Sequence, residues 1–135
     1  MEAKKALIMC MIFAAKVNGK YDQIERIRIE GLVKYYPVFE NYGSTFDIEK
    51  ESRDFAKILG KHKSKKSILK HLKKFLTEDN LLRTAYAFSL EIIACDMHID
   101  HDETEYLNLM ADVFELTTNA TSQIDYSRKV RYLFD

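Results

Sequence analysis

The chain has 135 residues, enough for one domain with a real core. Apolar residues make up 47% and charged residues 31%, the balance of a soluble globular protein. The formal charge of zero conceals a segregation. Residues 57–74 hold eight Lys and no acid, and residues 84–127 hold nine acids and no Lys or Arg, so the chain is a charge dipole along its sequence.

The first helix is expected over residues 3–17. Its apolar residues surround most of the circumference, which predicts burial on nearly all sides. Lys4-Lys5 followed by residues 6–15 resembles a short signal peptide, and Leu7-Ile8-Met9-Cys10 faintly resembles a lipobox. The apolar run is too short to span a bilayer, and it holds the place that residues 85–95 hold later in the chain. It therefore reads as a core helix of a cytoplasmic protein. Cys10 and Cys95 both lie in apolar helical context, which reads as two buried thiols in a reducing compartment rather than a disulfide or zinc site.

Asn18-Gly19 ends the first helix, and Asp22 opens a second that stops before Pro37. Gly31 lies inside that helix at a cost of about 1 kcal/mol relative to Ala. Close approach of a neighbouring helix is the expected compensation. Residues 37–46 are aromatic but lack a strand partner, and read as an ordered loop with its rings tucked under. A third helix is expected over 47–59, closed by Gly60. Ser64 caps a fourth to residue 76, and Thr77-Glu78-Asp79-Asn80 opens a fifth to Cys95. A sixth over 101–115 and a seventh over 121–134 complete an all-α array of about seven helices.

Two stretches repeat at an offset of 78 residues. Asn18-Gly19-Lys20-Tyr21-Asp22-Gln23-Ile24-Glu25 aligns with Asp96-Met97-His98-Ile99-Asp100-His101-Asp102-Glu103. After them Ile29, Leu32, Val33 and Tyr36 align with Leu107, Met110, Ala111 and Phe114, each set spaced as one buried helix face. The expectation is a single domain built from a duplicated helix–acidic loop–helix unit, with repeats over about 1–60 and 79–135 and a basic helix, 61–78, between them.

Each acidic loop has a structural explanation. Asp22 and Asp100 as N-caps, with Glu25 and Glu103 three residues on, form capping boxes. Asp102 and Glu105 suit the positive end of the helix dipole. The second loop nevertheless holds more acid than capping needs. Asp96, Asp100, Asp102, Glu103 and Glu105 are a candidate oxygen-ligand set for weakly bound Ca²⁺ or Mg²⁺, with Asn18, Asp22 and Glu25 as the fainter equivalent. The EF-hand pattern fails, since His98, His101 and Leu107 occupy its key places. His98 and His101 with a carboxylate would suit Zn²⁺ less well.

An apolar helix followed by Asp-Gly-x-Ile-Asp-x-x-Glu and an amphipathic helix resembles the repeated motif of the tellurite-resistance TerB family. Relatives of that family include the N-terminal region of a membrane-anchored DnaJ-like co-chaperone. Asp96, Ile99, Asp100 and Glu103 match the motif, and Asn18, Gly19, Tyr21, Asp22 and Glu25 match it with Asn for Asp. Met97 stands where the family favours Gly. The resemblance implies a compact all-α fold, a cytoplasmic location and a link to stress response and membrane-associated complexes, with no defined reaction.

In residues 64–76 the apolar Ile68, Leu69, Leu72, Phe75 and Leu76 form one stripe. Lys61, Lys63, Lys65, Lys66, Lys70, Lys73 and Lys74 form a basic surface around it. A solvated Lys face on a core helix is the plain reading. Anionic lipid or an acidic protein comes next. Nucleic acid comes last, because the patch lacks Arg and an aromatic ladder. No nucleophile elbow or phosphate loop points to an enzyme. The sequence thus predicts a non-enzymatic interaction module that docks a protein partner or an anionic membrane surface, lying in the cytoplasm or at the inner face of the membrane. A divalent-cation-binding protein is the alternative.

Overall fold

A run of ten residues, Ala6 to Ala15, is no more than 5% exposed at any position. They form the centre of α1 (Ala3–Lys16), the first of seven α-helices among the described residues of the computed structural model. The structure describes residues 1–17, 21, 23–42, 45–96 and 98–132, the side chains of Asp79 and Asp96 excepted. A helix apolar all round is stable in water only when surrounded. Here α5 (Asp79–Ile93) packs along α1, and α2 (Gln23–Tyr35), α3 (Ile48–Lys61) and α4 (Lys65–Lys73) cover its remaining sides. In turn α5 carries α6 (His101–Val113) and α7 (Thr118–Arg131), and α4 packs against α6. No strand occurs among the described residues.

Aromatic rings lock these layers. Phe13 of α1 meets Phe55 of α3 at 5.5 Å and the edge of Tyr106 of α6 at 4.9 Å. Each such pair adds about 0.5–1.5 kcal/mol to its area burial. The hydroxyls of Ser89 and Tyr106, both buried, donate to the Cys10 carbonyl at 3.4 Å, so these two polar groups are satisfied within the core. Burial pushes the Tyr106 hydroxyl far up from its ordinary range, and raises the Cys10 thiol to about 12.

The described part of the aromatic segment, residues 37–42 and 45–46, tucks its rings in as expected. It opens with a 3₁₀ turn, Pro37–Phe39, whose Phe39 stacks on Phe88 at 5.6 Å beside Tyr36 at 5.1 Å. Its lower end is held by the Tyr42 hydroxyl, which donates to Glu51 Oε1 at 2.7 Å.

Several sequence expectations require correction. Gly60 does not close the third helix: α3 continues through it to Lys61 and ends at His62, which is extended. The fourth helix is regular only to Lys73, and single 3₁₀-type bonds carry the turn on to Leu76. The seventh begins at Thr118, because the Thr117 hydroxyl accepts from the Ala120 N–H at 3.1 Å and so caps it. The preceding helix ends on Glu115 in the left-handed region (φ 58°), with Leu116 N–H bonding back to the Ala111 carbonyl. That is a Schellman ending without its usual glycine, and a glycine search overlooks it. Cys95 is half-exposed rather than buried. The close helix expected at Gly31 is not found among the described residues: a Cβ built there meets nothing within 4 Å.

Moved forward by the 78-residue offset, the bounds of α2 fall on those of α6. Glu25 and Glu103, three residues inside the two loops, are both buried. Ile29, Leu32 and Val33 face the core of their helix as Leu107 and Met110 do in theirs. α4 bridges α1 and α6.

Candidate functional site

The second acidic loop is built as a cap. Asp100 is extended, its Oδ1 accepts from Glu103 N–H at 2.8 Å, and Glu103 Oε1 accepts from Asp100 N–H at 3.0 Å. Both carboxylates satisfy free N–H groups of the first turn of α6. Glu103 is only 4% exposed, its carboxyl group buried in that box. Asp102 points to solvent, and Glu105 pairs with His101 one turn away at 3.0 Å on the exposed surface. Asp96 ends the 3₁₀ turn Ala94–Asp96, and its side chain lies outside the described residues. So do Asn18 and Asp22 of the first loop, while Glu25 is buried in the first turn of α2. Among the described residues no three His, Cys, Asp or Glu side chains converge as a metal-holding group. The expected ligand set is therefore divided, two members turned into the cap and two facing water.

The basic segment splits as well. Ser64 caps α4 by accepting from Ser67 N–H at 3.1 Å, and Ile68, Leu69, Leu72 and Leu76 enter the core. Lys73 reaches Glu115 at 3.3 Å. Lys61 and Lys63 flank the α3–α4 junction, and Lys65, Lys66, Lys70 and Lys74 are exposed. None of these six is ion-paired among the described residues.

A third surface went unread in the sequence. Besides its buried stripe, α2 carries Ile24, Ile27, Gly31 and Tyr35, spaced i, i+3, i+7, i+11, which also brings them to one helix face. Ile24 is 59%, Ile27 57% and Tyr35 80% exposed. With Leu32 and Tyr36 as its floor and Arg28 and Tyr132 as its far wall, the stripe lines an open trough of about 640 Å³. Over eleven residues of helix it is about 16 Å long.

The far wall is anchored from within. Glu91 of α5, buried, accepts from Tyr132 Oη at 2.7 Å and from Arg131 Nη2 at 2.5 Å. Arg28 Nη1 donates to the Tyr132 hydroxyl at 3.0 Å and lies 5.9 Å from its ring centre. Burial, and then the adjacent Glu91 carboxylate, raise the Tyr132 hydroxyl above its ordinary range, so it stays a neutral donor. One buried carboxylate thus ties the end of α7 to α5 and, through Tyr132, to α2. The exposed apolar stripe, read against the buried one on the same helix, is the sequence signal that finds this groove. Comparison with protein-family models, with curated proteins and with solved structures returns no match for this chain.

Proposed function

We propose that this chain is a non-enzymatic, TerB-like interaction module, and that the α2 groove receives an amphipathic helix of a partner protein. The observation that carries this reading is Gly31. A glycine in mid-helix costs about 1 kcal/mol relative to alanine, and among the described residues nothing lies within 4 Å of a Cβ built there. It lies between Ile27 and Tyr35 on the exposed stripe, where a missing side chain lets a second backbone approach. A straight trough about three helical turns long, with apolar residues at helical spacing, matches an amphipathic helix laid in a groove. A small molecule fits it less well, because the trough is open along its length and would leave most of such a ligand in water.

The TerB-like motif supports the same reading. Its two matching acids, Asp100 and Glu103, are engaged in the cap of α6. The coincident bounds of α2 and α6, with Glu25 and Glu103 buried alike, favour a duplicated origin of the two loops. Exposed lysines on α4 and exposed acids at the start of α6 provide oppositely charged faces that orient the module on a partner or a membrane-associated complex. Among the described residues no helix is long and apolar enough to cross a membrane.

The test screens a library of designed amphipathic helices against the protein and maps binders by amide chemical shifts. The expected result is a footprint on residues 24–35 and 132 that disappears in Gly31→Leu, a change that fills the trough from its solvent side. A footprint elsewhere, or binding indifferent to Gly31→Leu, would refute the reading. A dimer in sedimentation that Gly31→Leu dissolves would replace the partner helix by a second copy of this chain.

A further inference from the structure

Between the end of α3 and the outer face of α4 lies a cavity of about 410 Å³, lined by His62, Lys66, Ser67, Lys70, His71 and Lys74, with Ser64 at its rim. His62 Nδ1 and Ser67 Oγ are 2.8 Å apart, which holds the His62 ring over α4, and the two imidazoles lie 4.9 Å apart. Lys66, Lys70 and Lys74 follow one another at i, i+4 and i+8, a row in which like charges repel. Lys73, half a helical turn from His71, is ion-paired with Glu115; the row is not paired among the described residues. The lining contains three ammonium groups, two imidazoles and two hydroxyls, all hydrogen-bond donors, and no carboxylate.

We propose that this cavity is an anion site that takes the phosphoryl group of a phosphate monoester. Three ammonium groups call for more than one negative charge, and lysine binds phosphate as a point charge without needing a planar partner. Ser and His donors reaching the cavity from α4 and from the end of α3 suit oxygens that point in several directions, as a tetrahedral phosphoryl group's do. The cluster carries its own signature. His71 titrates below the ordinary histidine range, first because it is partly buried and then because His62, Lys74, Lys61 and the Met1 amino group, all cationic or able to become so, surround it. A bound dianion reverses that field and favours the charged form of His71.

The phosphoryl group is carried either by a soluble monoester or by a lipid headgroup, and the experiment separates the two. Imidazole NMR of the intact chain is recorded over pH 5–8 with inorganic phosphate, with sulfate, and with phosphatidylcholine vesicles with and without phosphatidic acid. Sulfate stays a dianion across this range and so isolates the protein's own titration. A ligand that raises one imidazole pKa by one unit binds about tenfold more tightly below the free pKa than above the bound one. We expect upward shifts of both histidines, tighter binding at the acid end with sulfate as well as phosphate, and loss of both effects in Lys70→Gln/Lys74→Gln. The soluble source requires the shifts with phosphate. The lipid source requires them only with phosphatidic acid vesicles. Lys63→Gln/Lys65→Gln removes the same charge outside the cavity. Equal loss in that control, or unchanged histidine titration with every probe, would overturn the proposal.

Discussion

Gly31→Ala is the sharpest test of the groove, because structure and function pull it in opposite directions. The position is mid-helix, exposed, and open for 4 Å around a built Cβ. Alanine therefore introduces no clash and removes the entropy that glycine loses on folding. The expected gain is the full helix-interior difference, about 0.5–1 kcal/mol. For a domain of this length that is about 2–5 °C in Tm. Urea melts followed by far-UV circular dichroism measure it directly, with the midpoint rising and the slope unchanged. The larger Gly31→Leu should keep most of that gain, because its side chain leaves into the trough rather than the core. A midpoint that falls in Gly31→Ala would mean that something already packs at this position. The argument that the glycine is kept for an external helix would then fail, whatever the binding screen found.

Four further outcomes are expected. Asp100→Ala should lower stability by about 1 kcal/mol in denaturant melts run in chelator, since the lost group is a cap rather than a ligand; an unchanged midpoint would contradict the capping box. Millimolar Ca²⁺, Mg²⁺ or Zn²⁺ should leave Tm unmoved, because Asp100 and Glu103 are committed to the cap. A site filled at 100 times Kd would instead add about 2.7 kcal/mol, and loss of that rise in Asp96→Asn/Asp102→Asn/Glu105→Gln would restore the cation reading. Cys10, with its thiol raised to about 12 by burial, keeps a thiolate fraction of about 10⁻⁴ at pH 8. Thiol labelling there should modify Cys10 only at the rate of unfolding, and prompt modification would show that α1 opens locally. Glu91→Gln removes the charge from two hydrogen bonds of a buried carboxylate and should cost about 1–2 kcal/mol, with amide exchange rising first at residues 128–132. Uniform acceleration across the chain would show that this clamp is not local.

What the sequence determined by itself is the helical array and its most buried member. A run apolar on every side, as in residues 6–15, has only one stable place in water, the centre of the bundle. The capping box at Asp100 and Glu103 was equally legible, because its bonds close within four residues and need no tertiary partner. The N-cap at Ser64 was readable for the same reason. Where local grammar was incomplete, boundaries moved: α7 starts earlier because Thr117 competes successfully as a cap, and Glu115 adopts a left-handed conformation that composition does not announce. Tertiary structure alone decided which surfaces remain open. Spacing shows that α2 carries two apolar stripes but not which one is covered; among the described residues nothing reaches a Cβ at Gly31, and Ile24, Ile27 and Tyr35 stay in water. Nor does spacing reveal that Glu91 reaches the end of α7, which depends on how α5 and α7 cross, or that His62 folds back over α4 to meet His71, which depends on the angle at the α3–α4 junction. Local hydrogen bonds and periodicity are written in neighbouring residues; exposure and convergence belong to packing, and here packing places both candidate sites.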